Sequence, residues 1–118
     1  MPGNTQTKFT FASVVLSAVL VGVPMAASAQ SGVASIYSGG LTANGEHASP
    51  GGLTAAHKTL PFGTMVRVTN QSTGRSVVVR INDRGPFVSG RIIDLTPAGA
   101  HALGFSGLTK VTLDVVGR

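Results

Sequence analysis

Valines at 66 and 68 share one parity between Thr64 and Thr69 while Arg67 takes the other, the pattern of a strand with one buried face. From Ser76 to Asn82 valine and isoleucine fall on both parities, as in a strand within the body of a closed sheet. The polar stretch Asn70 to Gly74 lies between them, so the pattern predicts a hairpin over 64–82. Val33 to Tyr37 has the β-branched and aromatic content of a short strand, and Lys110 to Val116 sets Val111, Leu113 and Val115 against Thr112 and Asp114. After Asp83 the apolar run breaks at Gly85-Pro86, then resumes past Gly90 as a second short strand holding Asp94. Thr96-Pro97 has the chemistry of a helix N-cap followed by proline in the first turn, which predicts a short helix over 98–105 leaving near Gly104. Ser38 to Gly52 reads as a loop in which Asn44-Gly45 turns the chain and presents Glu46. Leu53 to Leu60 follows and ends at Pro61-Phe62-Gly63. Five or six short strands with one short helix indicate a small mixed barrel dominated by β structure.

The beginning of the chain follows another rule. Lys8 precedes an apolar run from Phe9 to Val23, and Ala27-Ser28-Ala29 is a small-x-small cleavage pattern, so residues 1–29 are expected to be a signal peptide. The run is shorter than the roughly 20 residues of a membrane span, and Pro24 interrupts it. Export and a soluble product in the periplasm or outside the cell are therefore expected, with residues 30–118 as one small domain. Cysteine is absent, which excludes disulfides, thiolate metal sites, thiol nucleophiles and a lipid-bearing cysteine. The chain carries a formal net charge of +5, but its basic residues are scattered and its aromatics few, which argues against nucleic acid and fits an anionic envelope polymer better. Phosphate loops, dinucleotide fingerprints, zinc-protease patterns and nucleophile elbows do not occur.

The chemistry concentrates between Val77 and Leu95. Only four acidic residues are present, and two of them, Asp83 and Asp94, stand here beside Arg84 and Arg91. A carboxyl group at a rigid strand-to-turn junction suits acid-base work when its pKa is raised. Asp83 is the candidate acid, and its alternative is a turn-capping aspartate paired with Arg84 or Arg91. Glu46 is a candidate to stabilise positive charge, orient a substrate or act on Asp83 by proximity, against the plain reading of a solvated loop glutamate. His57 is a candidate partner of Asp83 or of a ligand, and a satisfied structural histidine otherwise. Asp94 reads as structural, with an alternative role in positioning Asp83. Tyr37 and Phe87 are the aromatics placed to flank a groove, whereas Phe62 is expected in the core. The three histidines and the carboxylates match no metal spacing, so neither a metal nor another cofactor is expected.

The ordered motifs Gly32-Val33-Ala34-Ser35 with Tyr37, Thr42-Ala43-Asn44-Gly45-Glu46, Leu53-Thr54-Ala55-Ala56-His57, Thr59-Leu60-Pro61-Phe62-Gly63-Thr64, Asn82-Asp83-Arg84-Gly85-Pro86-Phe87 and Gly90-Arg91-Ile92-Ile93-Asp94-Leu95 resemble the barrel domain of the rare lipoprotein A (RlpA-like) family. The resemblance covers nearly all of residues 30–118. It implies a mainly β fold, a six-stranded double-psi β-barrel with one or two short helices and an open groove for a glycan strand. The implied activity is endolytic peptidoglycan transglycosylase: cleavage of the β-1,4 bond between N-acetylmuramic acid and N-acetylglucosamine without water, leaving a 1,6-anhydro end. The family's acidic residues fall on Asp83 and Glu46 and its groove histidine on His57, with Tyr37, Asn82, Arg84 and Phe87 as the expected substrate contacts. Peptidoglycan glycan strands are the expected partner and a monomer the expected state. Ile36 stands where relatives often carry Trp, residues 47–52 lack the Phe or Met plus Asp common there, and neither a lipid-attachment cysteine nor a second glycan-binding module is seen. A different class of function, a non-catalytic wall-loosening glycan binder of the expansin type, fits the thin aromatic inventory. A weaker alternative is an exported protein that interferes with a competitor's wall.

Overall fold

The computed structural model describes residues 29–37 and 39–118; the expected leader lies outside them apart from Ala29. The elements run β1 (Gln30–Ile36), β2 (Gly40–Leu41), β3 (His47–Ala48), β4 (Thr54–Ala56), β5 (Met65–Asn70), β6 (Ser76–Asp83), β7 (Arg91–Leu95), α1 (Pro97–Leu103) and β8 (Thr109–Gly117). Six of the strands close a barrel in the order β1-β7-β4-β6-β5-β8, while β2 and β3 form a separate two-stranded ribbon. Two pairs are parallel, β1 with β7 and β4 with β6, and the two sets meet where β4 and β7 pair antiparallel through Ala55 with Leu95 and Ala56 with Asp94. That mixture is the crossed topology expected of a double-psi barrel. Among the described residues no helix is long and apolar enough to cross a membrane.

Alternation decides what fills the barrel. Val66 and Val68 of β5, Val79 and Ile81 of β6, and Val111 and Leu113 of β8 are completely or almost completely buried, as the hydrophobic pattern requires. Small residues complete the interior where strands cross: Ala34 and Ala55 are fully covered, beside Ile93 and Leu95. Each buried Val, Leu or Ile side chain contributes about 1.5–3 kcal/mol of transfer free energy. The hairpin spans Met65–Asp83 with Val66 opposite Val79 and Val68 opposite Val77. α1 begins as its sequence requires: Thr96 Oγ1 accepts the Gly99 N–H at 3.2 Å, Pro97 opens the first turn, and Gly104 ends the helix in the left-handed conformation.

Three expectations change. The Ser38–Gly52 loop contains the ribbon β2–β3, too short to leave a periodic signature. The Leu53–Leu60 segment supplies a barrel strand of three residues, β4, whose parallel partner lies far along the chain. Phe62, expected in the core, is 37% exposed, with the Arg84 guanidinium 4.2 Å above its ring. The turn Pro61-Phe62-Gly63 keeps that ring on the surface, and the cation replaces hydrocarbon as its packing partner.

Gly32 is required by a close approach. A Cβ there would stand 2.6 Å from Cγ2 of Ile92, a stiff β-branched side chain packed against the core. Gly32→Ala is expected to lower stability by about 1–3 kcal/mol through overpacking, and Ile92→Ala in the same chain to relieve part of it, as read by thermal or urea unfolding.

Candidate active site

The strand register brings the chemistry together. Ser35 of β1 stands beside Asp94 of β7, Asp94 beside Ala56 of β4, and Ala56 beside Asp83 of β6. A register shift between Ala55 and Ala56 takes up one residue of β6, so Asp83 rather than Asn82 is the neighbour of Ala56. Two strand spacings separate the Asp94 and Asp83 backbones, about 10 Å in a flat sheet. Ala56, the residue between them in register, carries only a methyl group. Ser35 Oγ donates a hydrogen bond to Asp94 Oδ1.

Asp83 is held by backbone. Its Oδ1 accepts the N–H groups of Ala43 and Arg84, both at 2.8 Å, and its Oδ2 takes no hydrogen bond from the described residues. Neither Arg84 nor Arg91 forms an ion pair with it among the described residues, so the turn-capping alternative has the cap without the salt bridge. The Arg84 guanidinium points elsewhere, donating to the carbonyls of Leu60 at 2.8 Å and His57 at 3.3 Å. It thus ties the 57–62 segment to the end of β6.

Glu46 is bound at both oxygens although its side chain remains partly exposed. Both of its oxygens receive the Arg80 guanidinium, at 2.9 and 3.0 Å, and Asn82 Nδ2 adds a third bond at 3.0 Å. These donors, Arg80 first and Asn82 next, lower its pKa from 4.5 to about 2. Arg80 is the residue that sequence reasoning missed. Its signal was parity: residues 80 and 82 share a face of β6 and meet the loop that Asn44-Gly45 turns back.

His57 is almost fully buried, at 4% exposure. Its Nδ1 accepts two backbone N–H groups, from Thr59 and Leu60, each at 3.1 Å. Nδ1 therefore carries no proton, and Nε2–H donates to Gln30 Oε1 at 3.0 Å. Burial, then the charges of Arg84 and Lys58, hold its pKa below the ordinary histidine value. It meets Asp83 through the main chain, His57 N–H donating to the Asp83 carbonyl at 3.2 Å.

Tyr37 is where the charges converge. Burial pushes its phenol pKa up, the neighbouring Thr54 side chain acts against this, and the negative charges of Asp83, Asp94 and Glu46 push it further up. Three of the four acidic residues therefore act on this one ring. The fourth, Asp114, lies on β8 opposite Arg67. Among the described residues Tyr37 Oη and Asn82 Oδ1 are buried without a hydrogen-bond partner; Thr54 is near Tyr37 but makes no bond of standard length. Asn82 is 1% exposed and faces Glu46, whereas Phe87 projects at 81% exposure from the turn after Asp83. No three His, Asp or Glu side chains among the described residues converge as metal ligands. Two cavities of about 340 Å³ each share Val33 and Lys110 and touch none of these carboxylates, and Glu46, Asp83 and Asp94 are each half-buried.

Residues 29–115 match a family model described as lytic transglycolase, of the double-psi β-barrel type. The chain is similar to a probable endolytic peptidoglycan transglycosylase RlpA of Nostoc sp., 55% identical over 95 residues that make up 74% of this chain and 26% of the relative. It is 53% identical over 91 residues to the endolytic peptidoglycan transglycosylase RlpA of Yersinia pestis, covering 74% of this chain and 25% of that protein. The RlpA of Escherichia coli is 48% identical over 91 residues with the same coverage. The chain thus spans about a quarter to a third of the length of the curated relatives it matches.

Two outcomes follow from the bound states of Glu46 and His57. The folded pKa of Glu46 is depressed, so its contribution to stability is present above the unfolded value of 4.5 and is lost as pH falls toward 2. The difference in melting temperature between the native chain and Glu46→Gln is therefore expected to shrink steadily across that interval. The depressed pKa of His57 likewise contributes stability above the unfolded value of 6.5 that is lost as pH falls through the folded one. His57→Asn, whose side-chain oxygen can replace Nδ1 as acceptor, is expected to remove this pH dependence and remain more stable than His57→Ala by about 1–3 kcal/mol in urea unfolding.

Proposed function

This chain belongs to the lytic transglycolase family of double-psi β-barrels, and from that premise we propose that it cleaves the β-1,4 bond between N-acetylmuramic acid and N-acetylglucosamine in peptidoglycan glycan strands. The observation that carries the proposal is the strand register that sets Asp83 and Asp94 on either side of Ala56, with the loop bearing Glu46 docked on Asp83 through Ala43 N–H. In the proposed reaction Asp83 Oδ2 gives its proton to the leaving glycosidic oxygen as the bond to the anomeric carbon breaks. The C6 hydroxyl of the same muramic acid forms the new bond to that carbon, and its proton returns to Asp83. No water enters, and the product is a 1,6-anhydro end. Asp94, across Ala56, supplies the second negative charge beside the anomeric carbon as it becomes positive.

The remaining contacts divide by what they touch. Glu46 is spent on Arg80 and Asn82, and His57 on Gln30 and two main-chain amides, so we assign both to holding the site rather than to moving protons. Arg84 similarly braces the groove wall, with Phe87 and Tyr37 offering ring surface to sugars. Peptidoglycan lies outside the cytoplasm, so the proposal carries with it export by the leader expected over residues 1–29 and action as a soluble monomer after its removal. Exposed Leu41 and Phe87 also favour a second reading, glycan binding without cleavage.

Incubating the protein with peptide-free glycan strands and weighing the products separates the two. Anhydro-ended fragments are expected from the native chain, reduced about 10²- to 10⁴-fold in turnover by Asp83→Asn and more than about tenfold by Asp94→Asn, with glycan binding retained in both. Binding by the native chain with no fragments would retire the enzyme and leave the binder.

A further inference from the structure

The five residues Thr42–Glu46 are closed on themselves before they touch anything else. Thr42 N–H donates to the Glu46 carbonyl at 2.7 Å, and Gly45 N–H to the Thr42 carbonyl at 3.0 Å. Thr42 Oγ1 reaches the Glu46 carbonyl at 2.9 Å and Asn44 Oδ1 at 2.7 Å, while Asn44 Oδ1 also accepts the Glu46 N–H at 3.0 Å. A loop bonded this densely moves as one piece. Its docking onto β6 has two ends: at one, the Glu46 carboxylate sits in the fork of Arg80 with Asn82 alongside; at the other, Ala43 N–H rests on Asp83 Oδ1, with Asn44 N–H on the Asn82 carbonyl between them.

We propose that Arg80 is a positioning residue for Asp83, acting through Glu46 and the rigid Thr42–Glu46 loop to keep Ala43 N–H on Oδ1 and leave Oδ2 as the oxygen that meets the substrate. The fork fixes both the distance and the tilt of the Glu46 carboxylate, because two parallel N–H donors meet two oxygens. A rigid body seated at one end cannot tip at the other. Without Arg80 the Glu46 end keeps only the single Asn82 bond, about which the loop can swing, and the amide of Ala43 leaves Asp83. A lysine at 80 would keep the charge but lose the second bond and the plane. The inference rests on the proposed role of Asp83 for its catalytic meaning and on the hydrogen-bond geometry alone for its mechanical one.

The test follows both parts separately in the ¹⁵N-labelled chain with Arg80→Met, Arg80→Lys, Glu46→Gln and the Met/Gln double variant. In the amide spectrum, Arg80→Met should move the Ala43 N–H resonance away from its native, hydrogen-bonded position and speed Ala43 hydrogen exchange about tenfold, with Arg80→Lys intermediate. On glycan strands, Arg80→Met should lower kcat about tenfold or more with KM changed less than about twofold, and the double variant should be no worse than the poorer single one. An Ala43 amide that behaves natively in Arg80→Met, or losses that multiply in the double variant, would overturn the proposal. Should the native chain release no fragments, the Ala43 measurements still decide the mechanical claim while the enzymatic one fails. Arg80→Lys, which keeps the charge, supplies the result if Arg80→Met does not fold.

Discussion

A six-stranded barrel of this size has an interior only wide enough for side chains to fill it, and that filling dictates the rest. Val66, Val68, Val79, Ile81, Ile93, Leu95, Val111 and Leu113 must point inward, so the residues between them must not. Where the two parallel strand pairs cross, only alanine fits, at 34 and 55 on the inside. The same parity places Ala56 beside Asp94, and the register shift at that point brings Asp83 next to it. The neighbourhood of two carboxyl groups is thus a by-product of close packing.

Around this frame the polar groups are held in a hierarchy. Main-chain amides grip Asp83, a serine hydroxyl meets Asp94, and an arginine fork grips Glu46. The Arg80–Glu46 pair is 38% and 42% exposed, so water screens it and its value to overall stability is small. Its geometric value is larger, since it sets where a loop lies. Buried groups are treated differently: His57 has both ring nitrogens engaged, whereas Tyr37 Oη and Asn82 Oδ1 are left unmatched among the described residues. Each unmatched group costs about 1–3 kcal/mol.

Much of the barrel was legible because alternation survives in single strands. The 64–82 hairpin, the strand through Asp94, the capped helix and the final strand all show their period or their punctuation. β4 and the ribbon β2–β3 were not, because strands of two or three residues leave no period to read, and the partners of β4 lie far along the chain. Asp83, Glu46 and Tyr37 stood out as rare residue types at turns. Arg80 and Ser35 did not, since a lone arginine or serine in a strand looks like any solvated position until its partner is known. Gln30 was equally silent, although it supplies the acceptor for the buried imidazole of His57. Phe62 misled because the period rule says nothing about turns.

The place of β1 in the barrel has a temporal meaning. It is the first strand made, yet its neighbours are β7 and β8, and β8 is the last element of the fold. The seam between Gln30–Ala34 and β8 therefore waits for Thr109–Gly117, which pairs with both β1 and β5 and closes the barrel. Joining the first strand to the last is the costliest loop closure in the barrel, so a fold of this size with this strand order gathers slowly compared with one built from neighbouring hairpins.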